Sequence, residues 1–161
     1  MSATTTIERD RTLTLPRVVT LLAGILVLAI VLPYGAVQTL HVRRLQAADA
    51  AAQAIADRVD EAIAAGTFDM PPGTEVLIGP GDQPRAMDER WGGTATFSLM
   101  RALRQPPAIA PDPWGNAFLV NVGSGAGAPR WVVSAGPDGI LQTPLSGADR
   151  AAGDDRIASI R

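Results

Sequence analysis

The stretch VVTLLAGILVLAIVLPYGAVQTL, residues 18–40, contains no charged side chain. A helix needs about 20 apolar residues to cross a bilayer, so this stretch is long enough to span one. A secretory signal peptide is the alternative, but its apolar region is only about 7 to 15 residues long and ends at a cleavage site. We therefore predict an uncleaved membrane anchor, in which Pro33 is tolerated because a membrane helix can satisfy the freed carbonyl locally. Arg9, Arg11 and Arg17 before the span roughly balance the nearest arginines after it, so the positive-inside rule does not orient the span. Those nearest arginines are Arg43, Arg44 and Arg58.

The composition of the chain excludes several kinds of site. The 161 residues carry a formal net charge of −2 and include no cysteine. Such a charge offers no attraction for nucleic acid, and the lack of thiols excludes both a disulfide framework and a thiolate zinc site. The single histidine, His41, adjoins the apolar stretch. A Ser-His-Asp triad within the folded part is therefore excluded as well.

A helical pattern continues beyond the apolar stretch as far as Gly66. Apolar residues recur there at steps of three and four, namely Leu45, Ala48, Ala52, Ile55, Val59 and Ala62. Gly66 is a natural C-terminal cap for such a helix. The outer half of this helix is either a coiled-coil stalk or a helix that packs on the chain's own C-terminal domain. Two heptads of mainly alanine make a weak coiled-coil seam, so we predict the second arrangement.

The remaining residues, 67–161, are rich in glycine and proline, which indicates a compact domain with many loops. Short strands are predicted at 117–122, 131–134 and 157–160, with a further candidate strand at 74–79. Residues 96–104 have helical spacing and stop at a Pro-Pro pair, whereas 80–93 are predicted to be loop. The sequence thus predicts an α+β fold, in which a long N-terminal helix packs on a small antiparallel sheet of about three strands.

Two motifs in this domain carry a family resemblance. The stretch D-P-W-G-N at 112–116 is followed by S-A-G-P-D-G at 134–139 and then by an acidic pair before the last strand. Together with the long, half-apolar helix, this order resembles the major pseudopilins of type II secretion systems and their pilin relatives. The resemblance implies a pilin-like fold and a non-enzymatic structural or interaction subunit of a secretion or pilus-like assembly.

The same resemblance implies a single-pass protein of the bacterial inner membrane. Residues 1–16 would be a cytoplasmic segment, 17–40 the transmembrane helix, 41–66 its continuation, and 67–161 a periplasmic or otherwise extracytoplasmic domain. The expected partners are membrane lipid and pseudopilin or secretion-system subunits, with no nucleic acid and no small-molecule substrate. The alternative is a membrane-anchored hydrolase that uses paired carboxylates, as glycosidases do. Such an enzyme needs a deep cleft, which nothing in the sequence requires.

The N-terminal segment departs from the family pattern at two positions. When Pro33 is superposed on the proline of the family's helix, Arg11 stands where the prepilin peptidase requires glycine. Pro16 stands where the family has a glutamate that neutralises the terminal amine of a neighbouring subunit. We therefore expect the chain to remain uncleaved, and one hypothesis is that it caps or inhibits a pilus.

The acidic residues near the C-terminus are candidate metal ligands. In the family, the loop between the last two strands resembles a calcium site, and its ligands by position are Asp138, Asp154 and Asp155. Calcium takes six to eight oxygen ligands, and a loop of about 20 residues without secondary structure needs something to hold it. Alternatively, Asp138 belongs to an ordinary Pro-Asp-Gly turn. Asp149 is a further candidate ligand, and Arg150 a candidate ion-pair partner for the acidic pair.

The aromatic and turn residues have structural interpretations. Asp112 is expected to fix the turn that precedes a strand, and Trp114 to fill the space between sheet and helix. Trp131 is expected to be buried in the same way. Trp91 is predicted to be an exposed aromatic and a candidate partner contact, with a minor core position as the alternative.

Overall fold

The computed structural model describes residues 15–85, 91, 96–104, 109–123, 128, 130–145 and 151–161. The chain divides into two compact units, Met1–His41 and Val42–Arg161. Its elements, in chain order, are α1 (Leu15–Ala64), β1 (Val76–Ile78), β2 (Thr96–Ser98), α2 (Leu99–Ala102), β3 (Leu119–Asn121), β4 (Arg130–Ser134) and β5 (Arg156–Ile160). The predicted α+β class, with a long N-terminal helix packed on a sheet, is confirmed.

The first unit contains the apolar part of α1. Large apolar side chains along it, from Val19 to Leu40, are each more than half exposed. An 18-residue stretch of the helix has a mean hydropathy of 2.3, and none of that stretch is buried in the protein. The helix is therefore long and apolar enough to cross a membrane, as its sequence predicts.

In the second unit, α1 packs on one face of the sheet. Its buried side chains include Ala48, Ala52, Ile55 and Val59, which follow the predicted three- and four-residue steps, and Ala56 beside them. The main apolar cluster joins helix residues to strand residues such as Leu77, Val120 and Val132. Alanine has a small side chain, so it lets helix and sheet approach closely. Packing on the chain's own domain, and not a free stalk, is confirmed for this part of the helix.

The sheet is larger than predicted and is mixed. It has five strands in the order β2-β1-β3-β4-β5, and β1 pairs in parallel with β2 while every other pair is antiparallel. The three expected strands correspond to β3, β4 and β5, and the candidate at 74–79 is β1. The estimate of about three antiparallel strands was too low because β1 was only a candidate strand and the residues of β2 were assigned to a helix.

The predicted helix at 96–104 is partly wrong. Its first three residues form β2, in register with Val76–Ile78, and the helix itself is the four-residue α2. Threonine and phenylalanine favour strands, and here pairing with β1 outweighs the local helical spacing. The domain's second cluster lies on the opposite side of the sheet and contains Trp91, Trp131 and Leu141.

Two of the three tryptophans differ from their predicted positions. Trp131 is buried, as expected, but Trp114 is only half-buried and belongs to neither apolar cluster. It lies in the turn before β3 and not on a strand that faces α1. The prediction that it fills the space between sheet and helix was therefore wrong. Trp91 is 1% exposed, so the prediction of an exposed aromatic was wrong and the core alternative is correct. Its ring meets that of Trp131 edge to face, with 5.2 Å between the centroids.

Candidate metal centre

Asp112 organises the D-P-W-G-N turn, as predicted. Its Oδ1 accepts hydrogen bonds from the backbone N–H groups of Trp114, at 3.0 Å, and Asn116, at 2.8 Å. The residue is 4% exposed, so these bonds replace the water that a carboxylate would otherwise bind.

The same carboxylate joins the two motifs that carry the family resemblance. Asp112 Oδ2 accepts a 2.6 Å hydrogen bond from Ser134 Oγ and a 3.2 Å bond from Asn116 Nδ2. Asn116 Nδ2 also donates to the carbonyl oxygen of Gly136, at 3.0 Å. D-P-W-G-N and S-A-G-P-D-G are therefore directly bonded, and they hold the end of β4 in a fixed position.

Asp138 lies just beyond this junction and is exposed. Its Oδ1 accepts from the N–H of Ile140, at 2.7 Å, and its Oδ2 accepts from Gln142 Nε2, at 3.2 Å. The first of these bonds is that of an Asx turn, which agrees with the alternative interpretation of Pro-Asp-Gly as an ordinary turn. The N–H of Asp138 lies 3.4 Å from Asp154 Oδ2, so the turn reaches the acidic pair through its backbone.

Asp155 is 2% exposed and holds the loop that follows β4. Its Oδ2 accepts from the N–H groups of Gln142, at 2.9 Å, and Thr143, at 2.6 Å. Burial raises the pKa of Asp155 above its ordinary value of 3.8. Hydrogen bonds from Thr143 and Gln142 oppose this rise, whereas the nearby charge of Asp154 adds to it.

Two carboxylate oxygens of the acidic pair have no partner among the described residues. Asp154 Oδ1 and Asp155 Oδ1 are both buried and accept no hydrogen bond. A buried carboxylate oxygen without a partner is unfavourable, and oxygens of this kind are the ligands that calcium prefers.

The backbone also brings the two sides of this site together. Gly136 has a φ of +64°, and a Cβ atom built on it would lie 2.5 Å from the carbonyl oxygen of Asp154. Only glycine combines this conformation with so close an approach. The residues after β4 and those before β5 are therefore in direct contact, although many residues separate them in sequence.

The structure thus brings the predicted ligands together only in part. Asp154 and Asp155 are adjacent, while the oxygens of Asp138 bind protein donors. Within the described part of the chain, no group of three or more His, Asp or Glu side chains is arranged to hold a metal ion. Asp149 and Arg150 lie outside the described residues. The calcium site remains a prediction that the two unpartnered oxygens favour.

Thr143 is the residue of this site that the sequence did not reveal. It is fully buried, and its Oγ1 accepts from the N–H of Ala152, at 3.0 Å. Its carbonyl oxygen accepts from Trp91 Nε1, at 2.9 Å. Asn121 Nδ2 bonds to the carbonyl of Leu145 at 3.0 Å and so holds the same loop. Nothing in the local sequence distinguishes Thr143 from any other loop threonine.

Comparisons with known proteins do not extend this description. No protein-family model matches the chain, and no curated protein or solved structure is significantly similar to it.

Proposed function

We propose that this protein is a membrane-anchored, non-enzymatic structural or interaction subunit of a pseudopilin-like kind. It would work in a type II secretion or type IV pilus-like assembly, uncleaved, with its domain on the extracytoplasmic side of a bacterial inner membrane. One observation carries the proposal: the D-P-W-G-N and S-A-G-P-D-G motifs are hydrogen-bonded to each other through Asp112 and Asn116. They belong to a chain whose N-terminal helix has an apolar first half.

Two grooves of the described surface fit a role without catalysis. One, of about 230 Å³, is formed by α1 and Ile109–Pro111, and its only charged lining residue is Arg58. Another, of about 390 Å³, lies beside Phe68 and has Arg130 as its only charged residue. Neither groove contains the pair of carboxylates that a glycosidase-like mechanism needs. We therefore prefer the structural subunit to the hydrolase.

Calcium belongs to this proposal as a stabilising ion. Asp154 and Asp155 would hold it through their unpartnered oxygens, and Asp138 would join them after its side chain leaves Gln142. Such an ion would supply positive charge to the acidic pair, of which Asp155 is buried and Asp154 half-buried, and so hold the loop against the start of β5. No reaction step depends on it.

Identification of the partner tests the proposal most directly. Because the chain has no cysteine, an introduced thiol is its only thiol and defines the cross-linking position. A full-length Ala54→Cys variant, whose new thiol lies on the exposed side of α1, is cross-linked in native membranes through a maleimide–diazirine reagent. We expect mass spectrometry to identify a pilin-type or secretion-system subunit, with the cysteine-free parent as the control. If no such component is recovered, the assembly role is wrong.

Two further measurements test the anchor. The intact mass of the membrane-extracted protein should equal that of the uncleaved chain. In spheroplasts, an impermeant maleimide should label Ser159→Cys, which lies on the exposed side of β5, while Ser2→Cys should react only after lysis. The opposite labelling pattern would place the domain in the cytoplasm and overturn the localisation.

A further inference from the structure

In the second unit, β4 and α1 run in opposite directions. Arg130, the first residue of β4, lines the same groove as Ile63, which is close to the end of α1. At the other end of the strand, Ser134 pairs with Arg156, whose Nε lies 3.9 Å from Asp49 Oδ1 of the helix. The chain therefore leaves β4 at the end of the unit where α1 enters it.

The turn after β4, residues 137–140, carries an exposed apolar side chain at this end of the unit. The N–H of Asp138 in the turn lies 3.4 Å from Asp154 Oδ2, beside the start of β5. Ile140 is 40% exposed. In the described part of the second unit, Val42 is the other exposed large hydrophobic side chain, and it lies where α1 enters the unit. The fold therefore leaves both of these side chains at one end.

Hydrogen bonds hold the turn in this position. Asp138 Oδ1 accepts from the N–H of Ile140, at 2.7 Å. The carbonyl oxygen of Gly139 accepts from the N–H of Arg85, also at 2.7 Å. Ile140 is thus presented to solvent by a fixed backbone, so a surface that covers it needs little further ordering of the turn.

The charges around this end of the unit have both signs. The exposed charged side chains there include Arg43, Arg44 and Arg85 as cations, and Asp82 and Asp138 as anions. Because the two signs nearly balance, attraction to anionic lipid headgroups is weak. A contact between this end and a lipid surface must therefore come mainly from the burial of apolar side chains.

We propose that the turn at 137–140 rests on the bilayer that α1 enters, with Ile140 inserted among the lipid headgroups. The inference rests on the membrane anchoring of the proposed function and does not need the secretion or pilus assembly. One isoleucine binds a bilayer weakly by itself, but the anchor makes the contact intramolecular, so little affinity is needed. The contact would fix the orientation of the second unit on the membrane and so decide which of its faces a partner can reach.

The dimensions of the unit allow this contact. Val42 and Asp49 are seven residues apart, which is about 10 Å along a helix. The turn continues beyond the end of β4, from the level of Asp49 towards that of Val42. The headgroup layer on one side of a bilayer is itself about 5 to 7 Å thick. A modest tilt of the unit is therefore enough to bring Ile140 to the lipid.

Fluorescence quenching in the full chain tests the proposal. Because the chain has no cysteine, a single introduced thiol carries the fluorophore. The labelled positions are Pro137→Cys in the turn, Ala65→Cys at the far end of α1 and Leu28→Cys in the apolar stretch, all exposed. Each protein is reconstituted in phosphatidylcholine vesicles that contain lipid with a nitroxide on the headgroup. We expect quenching at position 137 to exceed that at position 65 several-fold.

A pair of matched variants assigns the contact to Ile140. In the Pro137→Cys protein, Ile140→Asp should lower the quenching to the level of position 65, whereas Ile140→Leu should preserve it. The side chain of Ile140 is exposed, so both variants should keep the helicity and Tm of the parent, and this control separates loss of the contact from loss of the fold. Addition of phosphatidylglycerol should change the quenching little.

Three results would overturn the inference. They are equal quenching at positions 137 and 65, quenching at 137 that persists in Ile140→Asp, and quenching at 137 only when phosphatidylglycerol is present. Leu28→Cys judges the anchor separately, through lipid with a nitroxide on the acyl chain. If position 28 is quenched and position 137 is not, only this inference fails. If position 28 is not quenched either, the membrane anchoring of the proposed function fails with it.

Discussion

Ser134 donates a 2.6 Å hydrogen bond to the carboxylate of Asp112, 22 residues earlier in the chain. Ser134 is fully buried at the end of β4, and Asp112 is buried in the turn before β3. Hydrogen bonds to a charged group contribute more than neutral ones, at about 1.5 to 3 kcal/mol each. This contact therefore fixes the junction of two loops as well as the pairing of two strands.

The first prediction concerns this junction. Asp112→Ala should reduce the free energy of unfolding by roughly 2 to 4 kcal/mol, because it leaves several buried donors without an acceptor. Ser134→Ala should cost about 1 to 2 kcal/mol, because it removes the donor to Asp112 and the acceptor of the Gly136 N–H. Thermal unfolding of the full chain in micelles measures both changes. The double variant should be less destabilised than the sum of the two, and strict additivity would mean that the two groups do not interact.

The second prediction compares two tryptophans. Trp91→Ala should cost roughly 3 to 5 kcal/mol, since it empties a buried position and removes the bond to Thr143. Trp114→Ala should cost less, because that side chain is only half-buried. Tm values of the two variants give the comparison. A larger loss for Trp114→Ala would mean that the domain core lies near the turn and not behind the sheet.

The third prediction concerns two glycines with nearly the same backbone conformation. Gly136 and Gly66 have φ values of +64° and +66°, but only Gly136 faces a nearby atom. Gly66→Ala should cost about 1 kcal/mol from backbone strain alone. Gly136→Ala should cost clearly more, because its Cβ meets the carbonyl of Asp154. Equal Tm shifts would show that the two loops can separate without cost.

The fourth prediction is a dependence of stability on pH. Because burial raises the pKa of Asp155, the folded state binds its proton more tightly than the unfolded state does. The contribution of Asp155 to the free energy of unfolding is therefore complete below the pKa of the unfolded state, near 3.8. It is lost as the pH rises through the higher pKa of the folded state. In EGTA, the Tm of the parent relative to Asp155→Asn should fall as pH rises from about 4. A flat difference would contradict the raised pKa.

The fifth prediction is stabilisation by calcium. An ion that binds only the folded state adds about 2.7 kcal/mol of stability at a hundredfold excess over its dissociation constant. We expect Tm to rise with calcium in the parent and the rise to be lost in Asp138→Ala. A rise that persists in Asp138→Ala but disappears in Asp154→Asn would restrict the ligand set to the adjacent pair. Identical melts in every condition would make Asp138 an ordinary turn residue.

Local patterns in the sequence were enough to predict the apolar helix, its buried face, the cap at Gly66 and strands β3, β4 and β5. Each of these follows from periodicity or from the conformation of one residue type, and such properties act between near neighbours. The turn at Asp112 could also be predicted from the sequence, because an aspartate side chain bonds to backbone groups within a few residues of itself.

Tertiary structure alone decided the rest. The parallel pairing of β1 with β2, the burial of Trp91 and the bonds of Thr143 all join segments that are distant in the chain, and no local pattern encodes which distant partner a group will find. The acidic pair shows the difference most clearly. Its two carboxylates were visible as candidate ligands in the sequence, but the bonds from Asp155 to Gln142 and Thr143 form only in the folded chain. The same is true of the burial of the two oxygens that have no partner among the described residues.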